Sequence, residues 1–226
     1  MLKRELIGTA QVPGGEELQL FSHGRDFIIM LGRGELMSTR MRFSEEQLAE
    51  LTLARLEKAE PRLLIGGYGM GFTLRAALAG IGPQGRVTVA ELVPEILEWA
   101  RGPMAELTGE SLEDPRLTLE ICDVAALIDD AADGTSDGYD AILLDVDNGP
   151  DGLVRADNNR LYTRTGLARA RDALKPGGVL AIWSAGRDPM FTRRLKDARL
   201  EVEVLEVRAR PNNKGPRHTI WFARRA

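Results

Sequence analysis

The sequence predicts an α/β protein built on one doubly wound, largely parallel sheet, with a short β-hairpin and helix element ahead of it. Three observations carry this. An apolar run beginning at Arg62 ends in four glycines within six positions, Gly66-Gly-Tyr-Gly-Met-Gly71, and a helical segment follows. From Arg62 onward strand-like and helix-like segments alternate, as parallel strands joined by helical crossovers require. Two consecutive strand-like segments then end the sequence with no helix between them, which implies an antiparallel closing pair.

Residues 1–60 lack the alternation. Glu17–Phe21 and Asp26–Leu31 read as two strands joined by Ser22-His-Gly-Arg25, a hairpin. Ser44-Glu-Glu-Gln47 resembles a capping box opening a helix through Leu48, Leu51, Leu53 and Leu56, which Pro61 ends. Residues 61–226 form the second region. Strands are predicted at Leu63–Gly66, Arg86–Glu91, Arg116–Cys122, Tyr139–Asp145 and Val179–Ser184. Helices are predicted at Phe72–Ala79, Pro94–Arg101, Val124–Ala132, Tyr162–Leu174 and Pro189–Ala198. The turn Lys175-Pro-Gly-Gly178 separates the fourth helix from a wholly apolar strand, as expected at the centre of a sheet. Glu201–Val207 alternates cleanly and His218–Ala223 is the last strand.

Bulk properties narrow the function. At 226 residues and 43% hydrophobic, the chain can bury one substantial core with a small appendage. A net charge of −4 favours neither nucleic acid nor an anionic membrane as partner, and the clusters Arg193-Arg194, Arg208–Arg217 and Arg224-Arg225 read as solvated faces. No run approaches the ~20 apolar residues that span a bilayer, and no long apolar stretch follows Lys3-Arg4, so a cytoplasmic protein is expected. The one cysteine, Cys122, permits no intrachain disulfide and reads as a buried structural thiol. His23 and His218 lie far apart, so no metal site is expected. Trp99 and Trp221 are expected in the core, while Trp183, at the exit of the fifth strand, could face a ligand.

In a doubly wound sheet, ligands bind beyond the carboxyl ends of the strands. The first strand ends in the glycine turn, where Gly66, Gly67, Tyr68, Gly69 and Gly71 bring backbone amides to a nucleoside that a Cβ would hold away. The second ends at Glu91-Leu92, about 25 positions on, where a carboxylate can accept both ribose hydroxyls (the usual offset is ~20). The third ends at Asp123-Val124, where the acid can accept from an exocyclic purine amine. The fourth ends at Asp145, with Asp147 and Asn148 beyond. Glu91 and Asp123 could also simply cap the helices that follow them. Asp145, leaving a buried strand, needs a partner or a task. No GKS/T motif follows the turn, which argues against a P-loop. Acids after strands two, three and four, with a closing strand pair, form the pattern of the Rossmann-like, seven-stranded class I S-adenosylmethionine-dependent fold.

Within that class the sequence resembles the spermidine/spermine synthase (aminopropyltransferase) family from about Glu17 to Trp221. Gly66–Gly71 stands for the family's Gly-Gly-Gly-Asp-Gly-Gly turn, and Glu91 for its acid after strand two. Asp114-Pro-Arg116 matches its D-P-R, Cys122-Asp-Val124 its Gly-Asp-Gly, and Tyr139-Asp-Ala-Ile-Leu-Leu-Asp145 its Tyr-Asp-x-Ile-x-x-Asp strand. Leu161-Tyr-Thr163 resembles Leu-Phe-Thr, and Leu174–Gly178 is Leu-Lys-Pro-Gly-Gly. The departures concern the amine half of the site. Nothing acidic stands at Tyr68–Met70, where the family's turn aspartate holds the ligand's amino end. The Asp-Ser-Ser/Thr-Asp-Pro loop becomes Asp145-Val-Asp-Asn-Gly-Pro150. The Tyr-His-Glu of the N-terminal helix is absent, with Glu45-Glu46-Gln47 nearby, and the late Tyr-Pro-x-Gly looks like Arg210–Arg217.

The resemblance implies a transferase that binds S-adenosylmethionine or its decarboxylated form as co-substrate and passes an aminopropyl group to a small amine acceptor. It also implies a homodimer formed through the N-terminal element. Asp145 would take the proton from the attacking ammonium, and Asp147, Asn148 and Tyr162 would line the acceptor side. Losing the family's other acids implies poor activity on putrescine. Asp157–Arg160 could border the same pocket, though loop polarity explains them almost as well. The Asn212–Arg217 tip reads better as a hairpin turn than as an anion clamp. A methyltransferase on the same scaffold and a non-catalytic nucleoside-binding homologue remain open.

Overall fold

The computed structural model describes residues 4–146, 156–212 and 214–226. Two sheets organise them. The first is a four-stranded antiparallel meander of β1 (Glu5–Gln11), β2 (Glu17–His23), β3 (Asp26–Leu31) and β4 (Gly34–Ser38). The predicted hairpin is its middle; β1 and β4 are additional strands. Helix α1 (Phe43–Leu53) follows.

Next come β5 (Arg62–Gly66), α2 (Phe72–Gly80), β6 (Arg86–Glu91), α3 (Pro94–Arg101), the single turn α4 (Ala105–Thr108), β7 (Leu117–Ile121), α5 (Val124–Ala132) and β8 (Tyr139–Leu144). After the short α6 (Asn159–Tyr162) come α7 (Arg164–Ala173), β9 (Leu174–Ser184), α8 (Pro189–Asp197), β10 (Leu200–Arg210) and β11 (Lys214–Arg225). The second sheet has seven strands in the order β10-β11-β9-β8-β5-β6-β7. Strands β5 to β9 pair parallel, whereas β11 runs antiparallel to both β9 and β10.

The alternation of side chains explains why helices cover both faces. Leu63, Ile65, Ala141, Leu143, Val179, Ala181, Ile220 and Phe222 join one core, which includes Leu48 of α1, Leu74 of α2 and Leu97 of α3. Leu64, Ile142, Leu144, Leu180, Ile182 and Trp221 join the other, with Ile128 of α5, Leu167 of α7 and Phe191 of α8. By this period of two, the residue after β8, Asp145, falls on the α1/α2 face, together with Trp183 and His218.

Two local expectations need correction. Lys175-Pro-Gly-Gly178 is not a turn ahead of the strand but a bulge within β9. Tyr139 pairs with Leu174 and Ala141 with Val179, so the extra residues loop out, with Gly177 at φ 77°. Nor does Ser44 cap α1. The backbone is already helical at Arg42, and Ser44 Oγ lies 2.7 Å from Nδ1 of the buried His218, a partner 174 positions away. Tertiary contact overrides the local capping signal.

Candidate functional site

Beyond the carboxyl ends of β5, β6, β7 and β8 opens a cleft of about 690 Å³, part of it exposed to solvent. Its floor is Gly67 and Gly69; its sides include Glu91, Leu92, Asp123, Val124 and Asp145. These predicted residues meet because each leaves a neighbouring strand at the same edge of the sheet. The N-terminal region adds an apolar wall, through Val12 just after β1 and Leu18, Leu36 and Met37 of the first sheet.

The glycine turn needs its glycines. Gly67 has φ 84°, and a Cβ there would lie 2.8 Å from the Asp145 carbonyl oxygen; Gly69 has φ 56° and leaves no room beside Met37. Glu91 locks this turn to β6. Its Oε2 accepts from the Tyr68 amide at 2.8 Å and its Oε1 from the Val93 amide at 2.9 Å. Burial pushes its carboxyl up, while the N–H groups of Val93 and Tyr68 oppose that.

Asp123 Oδ1 accepts from the Ala125 amide at 3.0 Å, capping α5, and Oδ2 pairs with Arg160 at 2.8 Å. The helix-capping reading therefore describes it as well as the cleft does. Asn158 also borders the cleft.

Asp145 is the most perturbed acid at the cleft. Its amide donates to the Gly66 carbonyl at 3.1 Å, which continues the β5–β8 register by one residue. The Thr73 hydroxyl at the start of α2 is 3.1 Å from its Oδ2 and 3.3 Å from the Glu45 carbonyl oxygen. Burial pushes the Asp145 carboxyl up to about 6, against the lowering effect of Thr73. Glu45 of α1 is buried, whereas Asp145 is half-buried. Burial, then the Asp145 charge, raises the Glu45 carboxyl well above the usual range. Two neighbouring carboxyls that raise one another disfavour double ionisation.

Several predicted site residues are placed elsewhere. The Tyr68 phenol turns beneath the turn, where its oxygen would meet a Cβ on Gly71 at 2.7 Å, and does not line the cleft. Burial pushes that phenol up to about 12. Tyr162 is 1% exposed and meets Phe191 edge-on at 5.8 Å in the opposite core. Gly66 faces Leu144 and Val124 side chains, and Gly71 opens α2 with φ 74°. Asp147 and Asn148 lie outside the described residues.

Cys122 is half-buried at the cleft wall rather than deep in the core, its thiol pushed up by burial. Trp99 and Trp221 are core residues. Trp183 is buried edge-on to His218 at 4.7 Å, and its Nε1 has no hydrogen-bond acceptor among the described residues. Burial pushes His218 down to about 4. Arg224 and Arg225 are not simply solvated: they donate to the carbonyls of Gly177, Arg55, Arg171 and Asp172. Among the described residues, no cluster of His, Cys, Asp and Glu suits a metal ion, and no helix is long and apolar enough to cross a membrane.

The sequence reading missed the apolar wall from the N-terminal region and the burial of Glu45. Val12, Leu36 and Met37 carry no chemical signal. Glu45 differs from Glu46 in sequence only by one position on a helix.

No family model matches the sequence. Among curated proteins it is similar to the polyamine aminopropyltransferase of Korarchaeum cryptofilum, 35% identical over 188 residues, covering 82% of this chain and 53% of that protein. It is also similar to that of Corynebacterium efficiens, 31% identical over 187 residues, covering 81% of this chain and 34% of that protein. The chain thus spans about half the length, or less, of these relatives. In fold it matches spermidine synthase from Thermotoga maritima with a TM-score of 0.75 at 19% identity, over 100% of this chain and 75% of that one. Human methyltransferase-like protein 13, solved with SAH, matches with a TM-score of 0.58 at 23% identity, over 81% of this chain and 78% of that one. Curated relatives and sheet topology together place this chain in the spermidine synthase family, on a methyltransferase-like fold.

Proposed function

We propose that the cleft binds decarboxylated S-adenosylmethionine and that the protein transfers its aminopropyl group to a small amine. The observation that supports this most is the meeting of Glu91, Asp123 and Asp145 around Gly67 and Gly69 in one cleft, in a chain whose relatives carry the name polyamine aminopropyltransferase. The adenosyl group lies over the glycine turn. Glu91 accepts from the ribose hydroxyls, Asp123 from the purine amine, and Leu92 and Val124 flank the base.

The co-substrate supplies an activated carbon: the amine nitrogen bonds to the methylene beside the sulfonium, and the carbon–sulfur electron pair leaves with sulfur as a neutral thioether. The protein must align the two molecules and accept one N–H proton. Asp145 takes that proton. Its place on the cleft wall, tied to Gly66 through the backbone and to Thr73 through the side chain, supports that role. A carboxyl near 6 is ionised at neutral pH yet basic enough to receive a proton. Asp147 and Asn148, which follow Asp145 in the sequence, are proposed to bind the acceptor. Putrescine is a poor acceptor on this reading, because the family's second loop aspartate is Asn148 here.

Methyl transfer is the second reading, favoured by the fold likeness to a methyltransferase. The neighbouring carboxyls of Glu45 and Asp145 count against it, because intact S-adenosylmethionine would bring a third carboxylate there. Incubation with each co-substrate and a panel of amines, followed by mass spectrometry, tests the proposal. Methylthioadenosine with an aminopropylated amine is the expected product pair; S-adenosylhomocysteine would show methyl transfer instead.

A further inference from the structure

We propose that the Thr73 hydroxyl is a positioning group for the Asp145 carboxyl, donating to it while it is ionised and turning to the Glu45 main-chain carbonyl once it holds the amine's proton. The inference rests on the reading of Asp145 as the base and adds a residue that acts through it.

The geometry sets up a choice. Thr73 Oγ1 lies 3.1 Å from Asp145 Oδ2 and 3.3 Å from the Glu45 carbonyl oxygen. A hydroxyl has one hydrogen to give, so it donates fully to only one of these oxygens at a time. Both acceptors are anchored. The Asp145 amide donates to the Gly66 carbonyl. The Glu45 carbonyl belongs to the first turn of α1, where Ser44 Oγ lies 2.7 Å from the buried His218. Thr73 is itself buried in the first turn of α2. Its branched Cβ restricts the side chain to few rotamers, so the O–H bond turns while the oxygen stays in place.

Charge decides which oxygen receives the hydrogen. A hydrogen bond to an ionised acceptor is roughly twice as strong as one between neutral groups. Ionised Asp145 therefore takes it at Oδ2, which leaves Oδ1 for the amine. As the amine gives up its proton, the N–H bond breaks, its electron pair stays on nitrogen, and an O–H bond forms on Asp145. The neutral carboxyl is then the weaker acceptor, and the Thr73 hydrogen swings to the Glu45 carbonyl. Thr73 keeps its own hydrogen throughout and changes only its direction. Without that hydroxyl the ionised form alone loses a partner, so Asp145 takes up its proton at higher pH.

The other charged groups around this pair are Glu45, with Glu46 and Arg75 beyond it, on the helix side, and Glu91 and Asp123 on the cleft. His218, on the same sheet face, is held neutral above about pH 4 by burial. The Glu45 carboxyl feels the Asp145 charge, so its own titration has to be separated from that of the carbonyl.

Nuclear magnetic resonance on isotope-labelled protein, with no substrate present, follows the Asp145 carboxyl carbon and the Glu45 main-chain carbonyl carbon from about pH 4 to 8. In wild type the two should move with one midpoint. Thr73→Val, which keeps the shape and lacks the hydroxyl, should raise the Asp145 midpoint by about one unit and abolish the carbonyl response. Thr73→Ser should restore both. Glu45→Gln removes the neighbouring carboxyl, keeps the main-chain carbonyl, and should preserve the joint response. In turnover, the acid limb of kcat/KM should follow the measured midpoint in both Thr73 variants, with methylthioadenosine affinity within about twofold of wild type. A Glu45 carbonyl that ignores Asp145 in wild type, which needs no variant to observe, overturns the proposal; so does an unmoved midpoint in Thr73→Val. A joint response beside a flat kcat/KM profile upholds the Thr73 contact and sinks the base reading, which is a different result.

Discussion

Asp145→Asn should make the protein more stable while removing its chemistry. The half-buried carboxyl lies on the α1/α2 face and is held at about 6, against an ordinary 3.8. Each tenfold change in proton affinity is worth ~1.4 kcal/mol, so ionising Asp145 in the fold costs about 3 kcal/mol. The direction follows from the raised value. Asp145 favours the folded state below about pH 4, where folded and unfolded chains both hold the proton. That contribution is lost as pH rises from about 4 through 6.

Asparagine keeps an oxygen to accept from Thr73 and never ionises. The variant should therefore match wild type near pH 4 and exceed it by about 3 kcal/mol at pH 8. In a chain of this size that is roughly 6–12 °C in melting temperature. Scanning calorimetry at both pH values reads the difference, and a mass-spectrometric assay should show product formation lowered by about 10²–10⁴-fold, the range for a proton-transfer group. Lower stability than wild type at pH 8, or a stability difference independent of pH, would refute the assignment of an acid held above its ordinary range by desolvation.

The same carboxyl should shape catalysis in wild type, with kcat/KM falling about tenfold per pH unit below pH 6 as Asp145 is protonated; a flat profile between pH 5 and 7 would remove it as the base. Gly67→Ala places a Cβ 2.8 Å from the Asp145 carbonyl oxygen at φ 84°, so urea titration should show a loss of about 2 kcal/mol or more, with nucleoside binding weakened alongside. Wild-type stability in that variant would mean the turn is slack. Asp123→Asn keeps the cap on α5 and breaks the ion pair with the half-exposed Arg160, so stability should change by less than about 1 kcal/mol. Affinity for adenosyl compounds should nevertheless drop about tenfold, and equal binding would leave Asp123 as a cap alone.

Much of the second sheet was legible because its signals are local. The glycine turn, the apolar strand β8 and the helices at Pro94 and Val124 each sit where pattern and propensity agree. The strand ends then located Glu91, Asp123 and Asp145, since fold topology alone decides which residues share that edge. What escaped depended on distant partners. β1 is exposed along most of its length, with Ala10 its one buried residue, so its sequence shows no alternation. Ser44 looked like a cap because its true partner, His218, lies 174 positions on. Tyr68 and Tyr162 read as ligand groups by position, yet their rings fill core, which their bulk favours over a cleft wall. Glu45 and Glu46 are neighbours of identical type, and only helix packing sends one toward Asp145 and the other toward Arg42.

The most direct measurement is a crystal structure with methylthioadenosine. Its ribose hydroxyls are predicted within hydrogen-bond distance of Glu91, its base edge at Asp123, and its sulfur on the side of Asp145. A structure at saturating nucleoside with Gly67, Glu91 and Asp123 untouched, or bound at another surface, would contradict the account.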